Sequence, residues 1–149
     1  MKLFLRAVAV VTACLTIVFF AGPAQALSVY YASAGAYTCG TGGSTGGWYT
    51  GYDQTGSVVI GRGCVNGSGN VGVTDSRDDS QRVAVLWRKN SDTSVTGLCI
   101  WTGGYPNTGK CSVGLGYAVA VKVGRCNGSV SACNTFADYE TFGPWYSVL

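Results

Sequence analysis

Six cysteines, Cys39, Cys64, Cys99, Cys111, Cys126 and Cys133, constrain this chain more than any other feature. A seventh, Cys14, sits in an apolar leader. An even set of cysteines behind an export-type leader reads as a disulfide framework. Six cysteines allow fifteen pairings, and spacing alone does not choose among them. We take the sequential set: Cys39–Cys64, Cys99–Cys111 and Cys126–Cys133, the last closing a short loop through the turn dipeptide Asn127-Gly128. Zinc is a poor alternative, because structural sites want Cys-x(2–4)-Cys spacing, often with His. The tightest gap here, Cys126 to Cys133, has six intervening residues, and the chain has no His. Without His, neither Ser-His-Asp nor Cys-His chemistry is available.

The leader has the parts of a secretory signal. Lys2 and Arg6 start it, and the uncharged run Ala7 to Ala21 is 15 residues long. A membrane-spanning helix needs about 20 residues. Gly22 and Pro23 break the run, and Ala24-Gln25-Ala26 is a small-x-small cleavage site. Residues 1–26 are therefore expected to be a cleaved signal peptide and 27–149 one secreted all-β domain. Val11-Thr12-Ala13-Cys14 resembles a lipoprotein box, but cleavage there would leave the apolar Leu15–Phe20 on the mature chain. Of 10 Lys and Arg, Lys2 and Arg6 are lost with the leader, leaving 8 against 7 Asp and Glu. That near-neutral balance predicts neither nucleic-acid binding nor attachment to a membrane surface.

Composition excludes disorder and coiled coil: 47% of residues are hydrophobic and only 11% charged. Leu27 to Gly56 is rich in Gly, Ser, Thr and Tyr, and Cys39 to Trp48 reads as loop. From Ser57 on, alternation predicts strands. Val58-Val59-Ile60 and Val71–Thr74 flank the turn Asn66-Gly67-Ser68-Gly69-Asn70, a hairpin signal. Across Gln81–Lys89, Val83, Val85 and Trp87 point one way and Arg82, Ala84, Leu86 and Arg88 the other. Leu98–Trp101, Tyr117–Val123 and an irregular strand over Phe136–Val148 complete the set. No amphipathic helix follows the leader. Short strands at intervals of about ten residues, separated by Gly- and Asn-rich turns, predict a single disulfide-stabilised antiparallel β-sandwich, with a small β-barrel as the alternative.

Few constellations carry chemistry. Gly104-Tyr-Pro-Asn-Thr-Gly109-Lys110-Cys111 lacks the Ser or Thr and the following helix of a phosphate-binding loop, so it reads as a turn. Asp75-Ser-Arg77-Asp78-Asp79-Ser80 has oxygen ligands suited to calcium but no EF-hand spacing. We read it as a polar hairpin turn, its Asp side chains accepting backbone N–H bonds. The carboxylates available for glycoside hydrolysis are Asp53, Asp75, Asp78, Asp79, Asp92, Asp138 and Glu140, and only Asp138 and Glu140 alternate on one strand face. There is no G-x-S-x-G elbow and no S-x-x-K. Asn66-Gly-Ser and Asn127-Gly-Ser match the glycosylation acceptor pattern but are better explained as turns. We expect no enzyme activity, no cofactor and no metal.

Aromatics are the most suggestive feature. Trp48-Tyr49-Thr50-Gly51-Tyr52 follows the Gly-rich stretch, a composition typical of binding loops. Exposed rings also stack on flat sugar faces, so Trp48, Tyr49 and Tyr52 are the candidate ligand-binding residues for carbohydrate or cell wall. Trp87 and Trp101 are expected in the core. A second reading makes the Cys99–Cys111 loop the rigid arm of an extracellular hydrolase inhibitor, with Tyr105, Pro106 and Lys110 at its contact. A structural surface component is the remaining alternative.

The stretch Val71-Gly-Val-Thr-Asp75-Ser-Arg77-Asp78-Asp79 leading to Val83-Ala-Val85-Leu-Trp87, with Val121-Lys-Val123-Gly-Arg-Cys126 and Cys133, resembles small secreted proteins of streptomycetes and related actinobacteria. The resemblance covers about the last 80 residues, and the Gly-rich Cys39–Trp48 segment lies outside it. It implies export and a β fold and brings no active site. The expectation is a secreted monomer that binds polysaccharide or an extracellular protein and catalyses nothing.

Overall fold

Alternating Val, Leu and Trp with small or polar residues gives this chain strands rather than helices. The computed structural model describes residues 27–35, 37, 39, 47–116, 118–126, 133–141 and 143–148. The expected signal peptide, most of the Gly-rich segment and the Asn127-Gly128 turn lie outside the described residues. The strands run in the order β1 (Ser28–Tyr31), β2 (Ser33–Ala34), β3 (Tyr49–Tyr52), β4 (Val59–Val65), β5 (Val71–Asp75) and β6 (Arg82–Lys89). They continue with β7 (Gly97–Trp101), β8 (Thr108–Cys111), β9 (Val119–Cys126), β10 (Tyr139–Glu140) and β11 (Tyr146–Val148). One sheet has the order β1-β7-β6-β9-β10, with β11 also pairing β9. The second has the order β2-β8-β5-β4-β3. Two separate sheets exclude the closed barrel held as the alternative.

The alternation read along Gln81–Lys89 is the alternation observed. Val83, Val85 and Trp87 join Val119, Val121 and Val123 of β9 in the core between the sheets, with Val65, Val71 and Val73 from the second sheet. Trp87 and Trp101 are both buried there. Each fully buried aliphatic side chain contributes roughly 1.5–3 kcal/mol. The opposite face of the first sheet is also apolar. Ala84, Leu86, Leu98 and Ile100 pack beneath Cys126, Cys133 and Tyr139. This sheet is thus covered on both sides, which accounts for its near-continuous apolar runs.

Four departures from the expected fold have physical reasons. The segments of β1, β2, β3 and β8 carry no clear alternation, because most of their residues are Gly, Ser, Thr or Tyr. They become strands by tertiary pairing with strong neighbours, as when Thr108–Cys111 pairs β5. β1 runs parallel to β7, so the first sheet is mixed rather than purely antiparallel. Asp75–Ser80 is not a hairpin turn: β5 and β6 belong to different sheets, and the segment crosses between them. Phe136–Val148 is not one irregular strand but a 3-10 turn at Phe136–Asp138 followed by two short strands.

The three disulfides join Cys39 to Cys64, Cys99 to Cys111 and Cys126 to Cys133. The first holds the Cys39 segment over the outer face of β4, beside Tyr37, whose hydroxyl donates to the Asn70 carbonyl at 2.7 Å. Burial pushes the Tyr37 phenol up to about 12. The second crosses the interface, from β7 in one sheet to β8 in the other. The third ties the end of β9 to the cover over the outer core.

The sheets approach closely where bulk meets its absence. Gly61 and Gly63 of β4 face the core, and a Cβ at either would collide with side chains of the first sheet: Val83 for Gly61, Val85 and Val123 for Gly63. The substitution Gly63→Ala is expected to cost about 1–3 kcal/mol by forcing the layers apart. Gly67, with open space around it, should tolerate Ala within about 0.5 kcal/mol. Equal urea midpoints for the two variants would contradict this packing.

Candidate functional site

The end of the molecule where β5 and β7 finish and β6 and β8 begin carries two connections between the sheets, residues 76–81 and 102–107. Both are tightly built. Asp75 Oδ1 accepts the Arg77 N–H at 2.9 Å, and Asp79 Oδ1 accepts the Gln81 N–H at 3.0 Å. Asp79 Oδ2 also receives Arg125 at 3.3 Å and Arg77 at 3.6 Å. Arg125 turns its other nitrogen to Glu140 at 3.2 Å. This half-buried guanidinium ties the 76–81 connection to β9 and β10. Ser80 takes a positive φ of 58° to complete the bend, a conformation uncommon outside Gly.

The second connection folds over Trp101. The indole Nε1–H donates to the Gly104 carbonyl at 3.1 Å. Asn107 donates its backbone N–H to the same carbonyl at 3.1 Å. The ring packs so close to Gly103 that a Cβ there would strike it. Tyr105 is left 52% exposed at the tip, with Pro106 beside it. The tip stands between two hollows, one of about 270 Å³ on the side of residues 75–82 and one of about 570 Å³ toward Ala34 and Gly35.

The smaller hollow concentrates the polar groups. Asp75, Arg77, Gln81, Arg82 and Thr102 line it together with Tyr105. Asp75 is only 3% exposed and is the one buried charged residue among those described. Burial raises its pKa, and the charges of Asp79 and Asp78 add to the rise, against the Arg77 N–H bond that lowers it. Gln81 Oε1 is shielded from solvent without a hydrogen-bond donor. A desolvated carboxyl and an orphaned amide oxygen are acceptors, whereas the arginines and Thr102 supply donors. The arrangement suits a ligand rich in hydroxyl groups that also offers an apolar face to Tyr105.

The residues singled out in the sequence are placed as follows. Trp48 is 36% exposed and precedes β3. Tyr49 turns into the inter-sheet core and stacks on Tyr146, with ring centroids 4.7 Å apart; burial raises its pKa. Tyr52 lies past a register shift at Gly51/Tyr52 and is half-buried. These three rings do not form one exposed strip, and neither hollow is lined by them. Tyr105 and Pro106 share the loop tip, but Lys110 lies within β8, paired with Ser33 and Gly72, away from that tip.

Four other carboxylates, Asp53, Asp92, Asp138 and Glu140, have partners of their own. Asp53 caps its own turn, held below the usual carboxylate range first by the Thr55 hydroxyl at 2.7 Å. Asp92 accepts the Ser94 N–H. Asp138 accepts the Thr135 N–H and hydroxyl, and Glu140 pairs with Arg125. Asp138 and Glu140 thus serve different partners. Among the described residues, no three Cys, Asp or Glu side chains gather as a metal site, and no helix is long and apolar enough to cross a membrane.

From sequence, Asp75 is weighed only within the acidic cluster and among the carboxylates, and Gln81 and Arg82 are not singled out as lining a hollow. The only signal was the acidic cluster itself, and the crossover between sheets that turns Asp75 inward has no local signature. Comparison with protein-family models, with curated proteins and with solved structures gave no match.

A carboxyl whose pKa is raised in the folded state holds its proton more tightly there than in the unfolded chain. Its contribution to stability is therefore greatest in acid and falls as pH rises from the unfolded value through the raised one. Asp75→Asn keeps the acceptor for the Arg77 N–H and removes the ionisation. We expect this variant to be more stable than the parent at pH 7, with the difference shrinking towards pH 4, in thermal melts across pH. A constant difference would contradict the assignment.

Proposed function

We propose that this chain is an exported, non-catalytic binding protein, a disulfide-stabilised β-sandwich that takes polysaccharide at the hollow between residues 75–82 and Tyr105. The observation that carries the reading is the buried Asp75 carboxyl lining the same hollow as the exposed Tyr105 ring. Sugar rings offer apolar faces for stacking and hydroxyl groups for the acceptors and donors beneath. Three disulfides fit an oxidising extracellular compartment. The site stands at a different place from the aromatic run Trp48–Tyr52, because Tyr49 is spent on packing.

The ridge between the two hollows favours a second reading, an inhibitor that inserts Tyr105-Pro106 into a hydrolase cleft. Lys110, held in β8, is then not the inserted residue. The two readings separate in one set of assays. Under the first, the protein is retained on chitin, cellulose or peptidoglycan, and Tyr105→Ala lowers retention about tenfold, the scale of losing one stacked ring, while Trp48→Ala retains it. Under the second, serine proteases, papain or amylase lose activity on addition of the protein. No retention on any polymer, or equal retention of Tyr105→Ala, would overturn the first reading.

A further inference from the structure

The outer face of the first sheet carries two neighbouring cations, Arg88 and Lys122, with no carboxylate partner among the described residues. Val85 and Trp87 of β6 and Val121 and Val123 of β9 point into the core, so Arg88 and Lys122 point outward. Leu86 pairs Lys122 and Arg88 pairs Ala120, which makes Arg88 and Lys122 diagonal neighbours on that face. Trp145 completes the group. Tyr146 pairs Val121, so one more residue of the same register sets Trp145 beside Lys122. Its ring lies 4.6 Å from the Arg88 guanidinium. Arg88, Lys122 and Trp145 are each half-buried, partly open to solvent.

This pair is electrostatically unfavourable as it stands. Among the described residues no carboxylate pairs with either side chain, in contrast to Arg125 between Asp79 and Glu140. Among the described residues Arg88 Nη1 reaches the Thr93 carbonyl at 3.4 Å, and its Nε is buried without an acceptor. Lys122 is held below its usual pKa by burial and then by the Arg88 charge. Like charges directly opposite destabilise a sheet, and long side chains on diagonal positions remain within reach of each other, as the effect of Arg88 on Lys122 shows. A doubly charged anion between them would reverse the sign of the interaction. A guanidinium matches two oxygens of a tetrahedral oxyanion with its planar fork, and an ammonium adds a point charge. The Trp145 ring lies against the guanidinium in a cation–π contact.

We propose that Arg88 and Lys122, backed by Trp145, form a binding site for a phosphate group. The site does not depend on the Tyr105 hollow and stands if that reading fails. Calorimetric titration with inorganic phosphate, at constant ionic strength set with chloride, tests it. The parent is expected to bind one equivalent. Arg88→Gln or Lys122→Met should weaken binding at least about tenfold, the scale of one charge-assisted contact. Arg88→Lys keeps the charge, loses the fork and should weaken binding severalfold, which secures the test if Arg88→Gln fails to fold. Lys122→Glu should abolish binding and raise the thermal midpoint by giving Arg88 an internal partner. Glycerol phosphate binding as tightly as inorganic phosphate identifies an ester, as on a polymer; much weaker binding identifies the free ion. Phosphate binding no stronger than chloride, or equal binding by Lys122→Met, would overturn the proposal.

Discussion

The covalent bond between Cys99 and Cys111 is the constraint on which the candidate site depends. It joins β7 of one sheet to β8 of the other, so the connection between them has both ends fixed to the core. A bridge over a loop of this length is worth about 3 kcal/mol in the chain-entropy account. More important for function is where the entropy is removed. The bridge lies in the same core as Trp101, and the Trp101 indole fastens Gly104 from below. Tyr105 is thus carried on a short arm whose base cannot spread. Preorganisation of that kind lowers the ordering cost of binding.

The charged groups show a second regularity. Most carboxylates are engaged by backbone N–H groups or by Arg125. This leaves few places where a titratable group is both desolvated and incompletely matched. Asp75 is one, at the end of the inner face of β5. The Arg88–Lys122 pair is another, of opposite sign and on the outer face of the first sheet. Such mismatches are unfavourable in the free protein, and they cluster at functional sites because a ligand can offset them. The two lie on different faces and carry opposite charge.

Much of the fold was legible because period-two alternation survives wherever a strand has one clear inward face. Val83, Val85 and Trp87 announce themselves in this way, as does the Asn66–Asn70 turn, where Asn66 Oδ1 accepts two backbone N–H groups. The same rule fails for Thr108-Gly-Lys-Cys111, whose inward residues are a glycine and a cysteine. There the bulk needed to fill the core comes from Trp101 across the interface. Sheet membership was illegible altogether. Asp75–Ser80 has the composition of a hairpin turn, and nothing local distinguishes a turn within a sheet from a crossing between two. For that reason Asp75 read as a surface residue, and the aromatic run at Trp48–Tyr52 looked like the more promising site. Tyr49 stacking on Tyr146, nearly a hundred residues away in sequence, is a contact that composition does not encode.

The most direct measurement of the central claim is a titration of the isotope-labelled protein with cello-oligosaccharides, chito-oligosaccharides and soluble peptidoglycan fragments, followed residue by residue by NMR. The account predicts that the largest shift changes fall on residues 75–82 and 101–106, with the Trp101 indole N–H among them. Changes centred on Trp48–Tyr52, or none with any of these sugars, would contradict it.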